Sequence, residues 1–213
     1  MSRMASLVIP WKEAWRHPRL AQQRALREGS FLSLLPLPLA AGVVASLTQG
    51  AQSNLGARGI SVAWVLLAGI VLGSLWGLLT LFAMSGLIYL TARRDEAKVP
   101  FREIRTVVAL SRAPLATAFL FWLTASLTLG PDLYVDMTVV PSSFGPVVLL
   151  EVGLLYLATA ACWLWSVVVL IVGIAEIQRS SLWRAVGTLA EAVIWPVLAG
   201  VLIGLIYFLY RLR

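Results

Sequence analysis

Four ionisable residues stand inside long apolar runs or at their margins: Arg112, Glu151, Glu176 and Glu191. A charge in hydrocarbon is costly, so each needs an opposite charge or a place on a proton or ion path. Arg112 falls near one end of its run, and Glu176 and Glu191 fall at the same end of theirs. That placement predicts an ion pair between Arg112 and one of the two carboxylates. Glu151 belongs to the opposite end, where Arg58, Arg211 and Arg213 are its available partners. Pairs of this kind tie helices together near head groups, whereas the middle of the runs is apolar and aromatic (Trp122, Trp163, Trp165). Other chemistry lacks its parts. His17 and Cys162 each stand alone, which leaves no disulfide and no metal cluster to build. A Gly-rich phosphate loop, HExxH, Cys-xx-Cys and Gly-x-Ser-x-Gly are all missing. Ser85-Gly86 has no base beside it and reads as a helix contact. The sequence therefore predicts a protein that is not an enzyme and carries no cofactor or metal.

The elements that position these charges follow from composition. The chain has 213 residues, 60% hydrophobic and 13% charged, too apolar for an ordinary soluble domain. The expected fold is all-α: a polytopic integral membrane protein with a bundle of five transmembrane helices and short amphipathic surface segments. The spans are expected at about residues 31–49, 59–92, 106–130, 146–175 and 190–210. Residues 59–92 contain no Asp, Glu, Lys or Arg, and Arg58 and Arg93 close the run. As a helix it would be roughly 50 Å long, against a hydrocarbon core about 30 Å thick. Gly69, Gly73 and Gly77 share one face of it, and Gly200 and Gly204 repeat the spacing in the fifth span. Bare strips of this kind let helices approach closely where lipid removes the usual hydrophobic drive. They predict helix packing, with a hinge or a seam between copies as the alternatives for the first row.

Residues 1–30 form a basic segment with Trp11, Ala14 and Trp15 at helical spacing, then Pro18, then a second short helix with Leu20 and Leu26 as apolar contacts. Two Trp among cations fit an amphipathic helix at head-group level. The first apolar run begins after this segment, too late for a cleavable leader. The net charge of +7 resides in the connections, so it points to topology and anionic lipid, not to nucleic acid. Fourteen of the seventeen basic residues fall on one side of a five-span topology, and the loop 131–145 carries none. The positive-inside rule then predicts a cytoplasmic N-terminus and an outer C-terminus. The expected location is the inner membrane of a bacterium.

Three stretches together carry a family resemblance. Trp-Lys-Glu-Ala-Trp-Arg-His-Pro (11–18) precedes the spans, and Val-Pro-Phe-Arg-Glu-Ile-Arg-Thr-Val-Val-Ala-Leu-Ser-Arg-Ala-Pro (99–114) opens the third. Ile-Val-Gly-Ile-Ala-Glu-Ile-Gln-Arg-Ser-Ser-Leu-Trp-Arg-Ala (171–185) closes the fourth. The chain resembles, over nearly all of residues 10–210, the bacterial branch of the YIP family, named for Ypt/Rab-interacting proteins. The resemblance implies a multi-spanning adaptor. Eukaryotic members recruit Rab-type GTPases through a long N-terminal region, here only about thirty residues, and some bacterial relatives accompany ABC-type exporters. It also implies a partner or lipid surface on Trp11, Trp15, Phe101, Arg102, Arg105, Arg179 and Arg184. Two other functions remain open: a small transporter or channel with a path near Arg112 and Glu191, and a lipid-organising or curvature-sensing protein. The implied partners are the bilayer and another membrane protein complex.

Overall fold

The computed structural model describes residues 5–28, 31–94, 99–135 and 145–211, and among them there is helix and turn but no strand. An N-terminal hairpin of α1 (Ala5–Arg16) and α2 (Pro18–Glu28) leads into the short α3 (Phe31–Leu34) and α4 (Pro36–Gln52). Then come α5 (Val62–Arg94), α6 (Phe101–Ser111), α7 (Ala113–Thr128), a 3-10 turn over Gly130–Tyr134, α8 (Pro146–Gln178) and α9 (Leu182–Arg211). Five segments are long and apolar enough to cross a membrane: Phe31–Gln52, Val62–Arg93, Phe101–Thr128, Pro146–Gln178 and Leu182–Leu202. The chain is a multi-pass, all-α membrane protein. We call the end that gathers α1, α2 and the connection from α8 to α9 the basic end, and the opposite one the loop end.

The expected spans hold, with different bounds. Gly59 lies in the turn before α5, at φ +75°, and not in the helix. The third span begins earlier than expected and is broken at Arg112, whose N–H reaches the carbonyl of Ala109 at 3.2 Å. Pro114 has no N–H to continue the ladder, which explains the break. The fourth and fifth spans grow toward each other and leave only Arg179 to Ser181 between them. Arg179 takes the left-handed conformation (φ 49°), and Ser180 N–H returns to Ala175 O at 3.0 Å, a tight helix stop. Asp95, Glu96, Lys98, Arg213 and most of the expected outer loop (136–144) lie outside the described residues.

Two buried clusters make the core. At the basic end, Ala14, Ala21 and Ala25 of the hairpin pack with Leu81, Ile88, Ile104, Val107 and Ile174. At the loop end, Val44 and Leu47 of α4 surround Trp122, Leu133 and Tyr134. Ser126 donates its hydroxyl hydrogen to Trp122 O, so Tyr134 donates in its 2.7 Å contact with Ser126. Tyr134 O accepts from Gly56 N–H at 2.9 Å and ties the first connection to this corner.

The glycine row on α5 is a seam with α4. A Cβ on Gly73 would stand 2.7 Å from Val43 Cα, and one on Gly77 would strike Pro38 O and sit 3.2 Å from Gly42 Cα. Gly69 faces the Leu47 side chain. The answering residue is Gly42, where a Cβ would collide with Gly73 O. Gly200 and Gly204 behave differently: a Cβ on either meets no atom within 4 Å among the described residues. Among the described residues, no neighbouring helix packs against them.

Candidate functional site

The N-terminal hairpin does not lie apart as a surface segment. It is stitched into the bundle by indoles. Trp11 Nε1–H points at Ala113 O (3.1 Å) and Thr117 Oγ1 (3.2 Å), and Trp15 Nε1–H reaches the same Thr117 oxygen at 3.3 Å. Trp165 of α8 returns a bond to Ala14 O at 3.1 Å, and its ring stacks on Trp15 with centroids 6.5 Å apart. Thr117 spends its own hydrogen on Ala113 O, so both its lone pairs are free to accept the two indoles. Thr117→Val should strip that node: Trp15 loses its acceptor while Trp11 keeps Ala113 O, a cost of about 1 kcal/mol. Limited proteolysis of the purified protein should then cut within residues 5–28 several-fold faster, while the spans stay protected.

The charges are also arranged differently from the expectation. Glu176 does not pair with Arg112. Both its oxygens are taken by α2: Arg19 Nε at 2.8 Å and Gln23 Nε2 at 2.7 Å. The fixed N-terminal hairpin delivers these donors, and no local spacing in the sequence announces a contact 157 residues apart. Arg24 pairs with Glu13 across the hairpin. Glu151 and Glu191 are exposed on their helices and make no ion pair among the described residues. The expected Glu151 contacts with Arg58 and Arg211 are therefore not formed. Glu191 instead lines a small cleft with Thr91, Arg93 and Trp195.

The surface residues divide in two. Trp11 and Trp15 bond inward, Phe101 sets its ring edge-on to Tyr89 at 5.8 Å, and the Arg105 guanidinium lies 3.8 Å over the Phe31 ring. These four are occupied in holding the basic end together. Arg102, Arg179 and Arg184 stay exposed there, beside Trp183, which is 84% exposed. Between α2, the start of α6 and the end of α8 is a polar cavity of about 610 Å³ lined by Gln23, Arg27, Glu103, Glu176 and Arg179.

Sequence reasoning missed Gln22, which is fully buried. Its Nε2 faces the carbonyls of Val169 (3.3 Å) and Val107 (3.5 Å). Gly173 makes room for it, since a Cβ there would stand 2.8 Å from Nε2. The available signal was the Ala21–Ala25 pair one turn apart, a small-residue face that lets α2 sit close to α6 and α8.

Arg112 sits in a different setting. Its side chain makes no hydrogen bond or ion pair among the described residues, and it lines a lateral cleft of about 350 Å³ bounded by α4, α5, α7 and α8. Behind it, toward the basic end, Val108, Ala109, Leu110 and Ala113 are fully buried. Among the described residues no group of His, Cys, Asp and Glu is placed to hold a metal. No protein-family model, curated protein or solved structure matches the chain.

Proposed function

We propose that the protein is a non-enzymatic membrane adaptor that holds another membrane complex together, and that α9 is the helix that engages it. The observation that carries this reading is the isolation of α9. Ala185, Thr188 and Ala192 are buried against the bundle, but from Val193 onward every described side chain of α9 is exposed. Its apolar window is 18% buried, against 67% for the third span. Helices associate in lipid through close packing, and Gly200 and Gly204 offer an open face for it. The exposed Arg102, Trp183 and Arg184 extend the same contact onto the basic end. An exporter of the ABC type is the partner suggested by the YIP resemblance, in a bacterial inner membrane with the N-terminus cytoplasmic and the C-terminus outside. A transport path past Arg112 and Glu191 has less support, because the two residues line separate cavities with no lining residue in common.

The test is purification of a tagged copy from its native membrane in mild detergent. A stoichiometric membrane partner should be recovered, and Gly200→Leu with Gly204→Leu should remove most of it. The variant should keep the melting temperature of the parent, since a Cβ on either glycine meets no atom within 4 Å among the described residues. Recovery of the chain alone would sink the adaptor reading, and recovery as a homo-oligomer would replace it with self-association through α9.

A further inference from the structure

The cleft at Arg112 has a chemistry of its own, independent of α9. Among the described residues, one cation lines it and no Asp or Glu does. Thr48, Thr80 and Thr159 also line it, and each hydroxyl already donates to a carbonyl of its own helix: Val44 O at 2.8 Å, Gly77 O at 3.1 Å and Leu155 O at 2.7 Å. Their oxygens therefore face the cleft as acceptors only. Trp76 and Trp163 flank it, 54% and 57% exposed, with Ala45 and Gln49 exposed between them and the loop end. Its lining residues on α4, α5, α7 and α8 all belong to segments long and apolar enough to cross a membrane.

We propose that this cleft seats the head group of an anionic glycerophospholipid, with its phosphate on Arg112 and its polyol hydroxyls on the threonine oxygens. A guanidinium left unpaired at the depth of a membrane span needs an anion, and its fork matches phosphate. Acceptor-only hydroxyls ask the ligand to bring hydrogens, which a glycerol-type head group does. An ammonium head group would also bring hydrogens, but it would set a second positive charge beside Arg112 with no acid on the lining to offset it. The volume, about 350 Å³, suits a head group and not a whole lipid. The acyl chains leave between the two tryptophans, which stand midway along α5 and α8 and offer exposed ring faces to them. The break in the third span serves the same end: with the α6 ladder stopped at Arg112, the side chain is carried at the junction of two helices and not along an unbroken helix face.

The experiment is native mass spectrometry of the full chain, exposed in detergent to equal amounts of phosphatidylglycerol, phosphatidylethanolamine and phosphatidylcholine. One phosphatidylglycerol should be retained per chain, at roughly tenfold preference over phosphatidylcholine, the scale of one charge-assisted contact. Arg112→Gln should erase the preference and Arg112→Lys should keep part of it. Thr48→Val with Thr80→Val should lower retention of phosphatidylglycerol and leave that of phosphatidic acid, which lacks the polyol. Equal retention of all three lipids by the parent chain would overturn the proposal, as would undiminished retention by Arg112→Gln. Displacement of the lipid by excess inorganic phosphate would also overturn it, by marking a site for the free anion. Should Arg112→Gln fail to fold, the parent chain's selectivity and the phosphate competition still decide.

Discussion

Gly77→Ala is expected to separate α4 from α5 and to destabilise the protein by about 3 kcal/mol, the upper range for overpacking. The new methyl would strike Pro38 O and lie 3.2 Å from Gly42 Cα, and both obstacles are backbone. Backbone cannot rotate out of the way as a side chain can, so one helix must move off the other. Gly42→Ala should act the same way from the opposite side, because its Cβ would meet Gly73 O. The two substitutions share one seam, so their effects should fall short of additive. Gly86→Ala on the same helix is the control. Its Cβ meets nothing within 4 Å, and alanine is the better helix former by about 1 kcal/mol. Denaturation of the purified protein in micelles, followed by tryptophan emission, should rank Gly77→Ala far below the parent and Gly86→Ala level with it or above. Equal stability of the two variants would contradict the seam.

The second large effect is expected at Trp122. The residue is fully buried, its N–H bonds Thr159 Oγ1 at 3.0 Å, and its ring meets Tyr156 edge-on at 5.7 Å. Trp122→Ala should cost about 4 kcal/mol, because the loop-end core around Val44, Leu47 and Leu133 cannot collapse into so large a hole. Trp122→Phe keeps most of the packing and removes the single hydrogen bond, a loss of about 1 kcal/mol. Combined with Thr159→Val, the phenylalanine variant should show clear coupling in a double-mutant cycle, since the pair is in direct contact. Thr159 also lines the Arg112 cleft, so Trp122→Phe changes a cleft-lining group together with the core.

The spans were legible because hydrocarbon imposes a simple rule: a run without charges longer than the bilayer is thick must be a helix that crosses it. Their ends were not. Glu176, Gln178 and Arg184 mark a polar stretch, which in a short helix would be a loop. A 33-residue helix such as α8 outruns the bilayer and carries such residues past its edge while staying helical. The glycines show a similar limit. Gly69-xxx-Gly73-xxx-Gly77 and Gly200-xxx-Gly204 have the same spacing, yet among the described residues only the first packs against a neighbouring helix. The difference is Gly42, a lone glycine in Leu-Ala-Ala-Gly-Val-Val that no periodicity singles out. Half of a close contact can be read from a repeat; the other half needs only to be small.

The charges were the least legible part. Counting opposite signs at the same depth pointed to Arg112 with Glu176 or Glu191, a sound rule where the spans alone supply the partners. It failed because the basic segment folds back into the bundle and brings Arg19 and Gln23 to Glu176 first. Trp11 and Trp15 are a related case. Trp beside cations fits a head-group surface, but an indole N–H needs an acceptor, and Thr117 and Ala113 O supply one inside the protein.

The way the hairpin is held sets an order of events during synthesis. Trp165 reaches Ala14 across 151 residues, and Gln22 reaches Val169 across 147. At about 5–20 residues per second, α1 and α2 leave the ribosome on the order of ten seconds before α8 exists to receive them. A part made well before its α8 partners thus completes its docking only after them. A chain released early, short of residue 165, would keep Ala113 and Thr117 for the two indoles but lack the α8 partners of Arg19, Gln22 and Gln23, leaving α2 loose at the membrane surface. That makes the hairpin a built-in report on completion, which cellular quality control could read without inspecting the bundle itself.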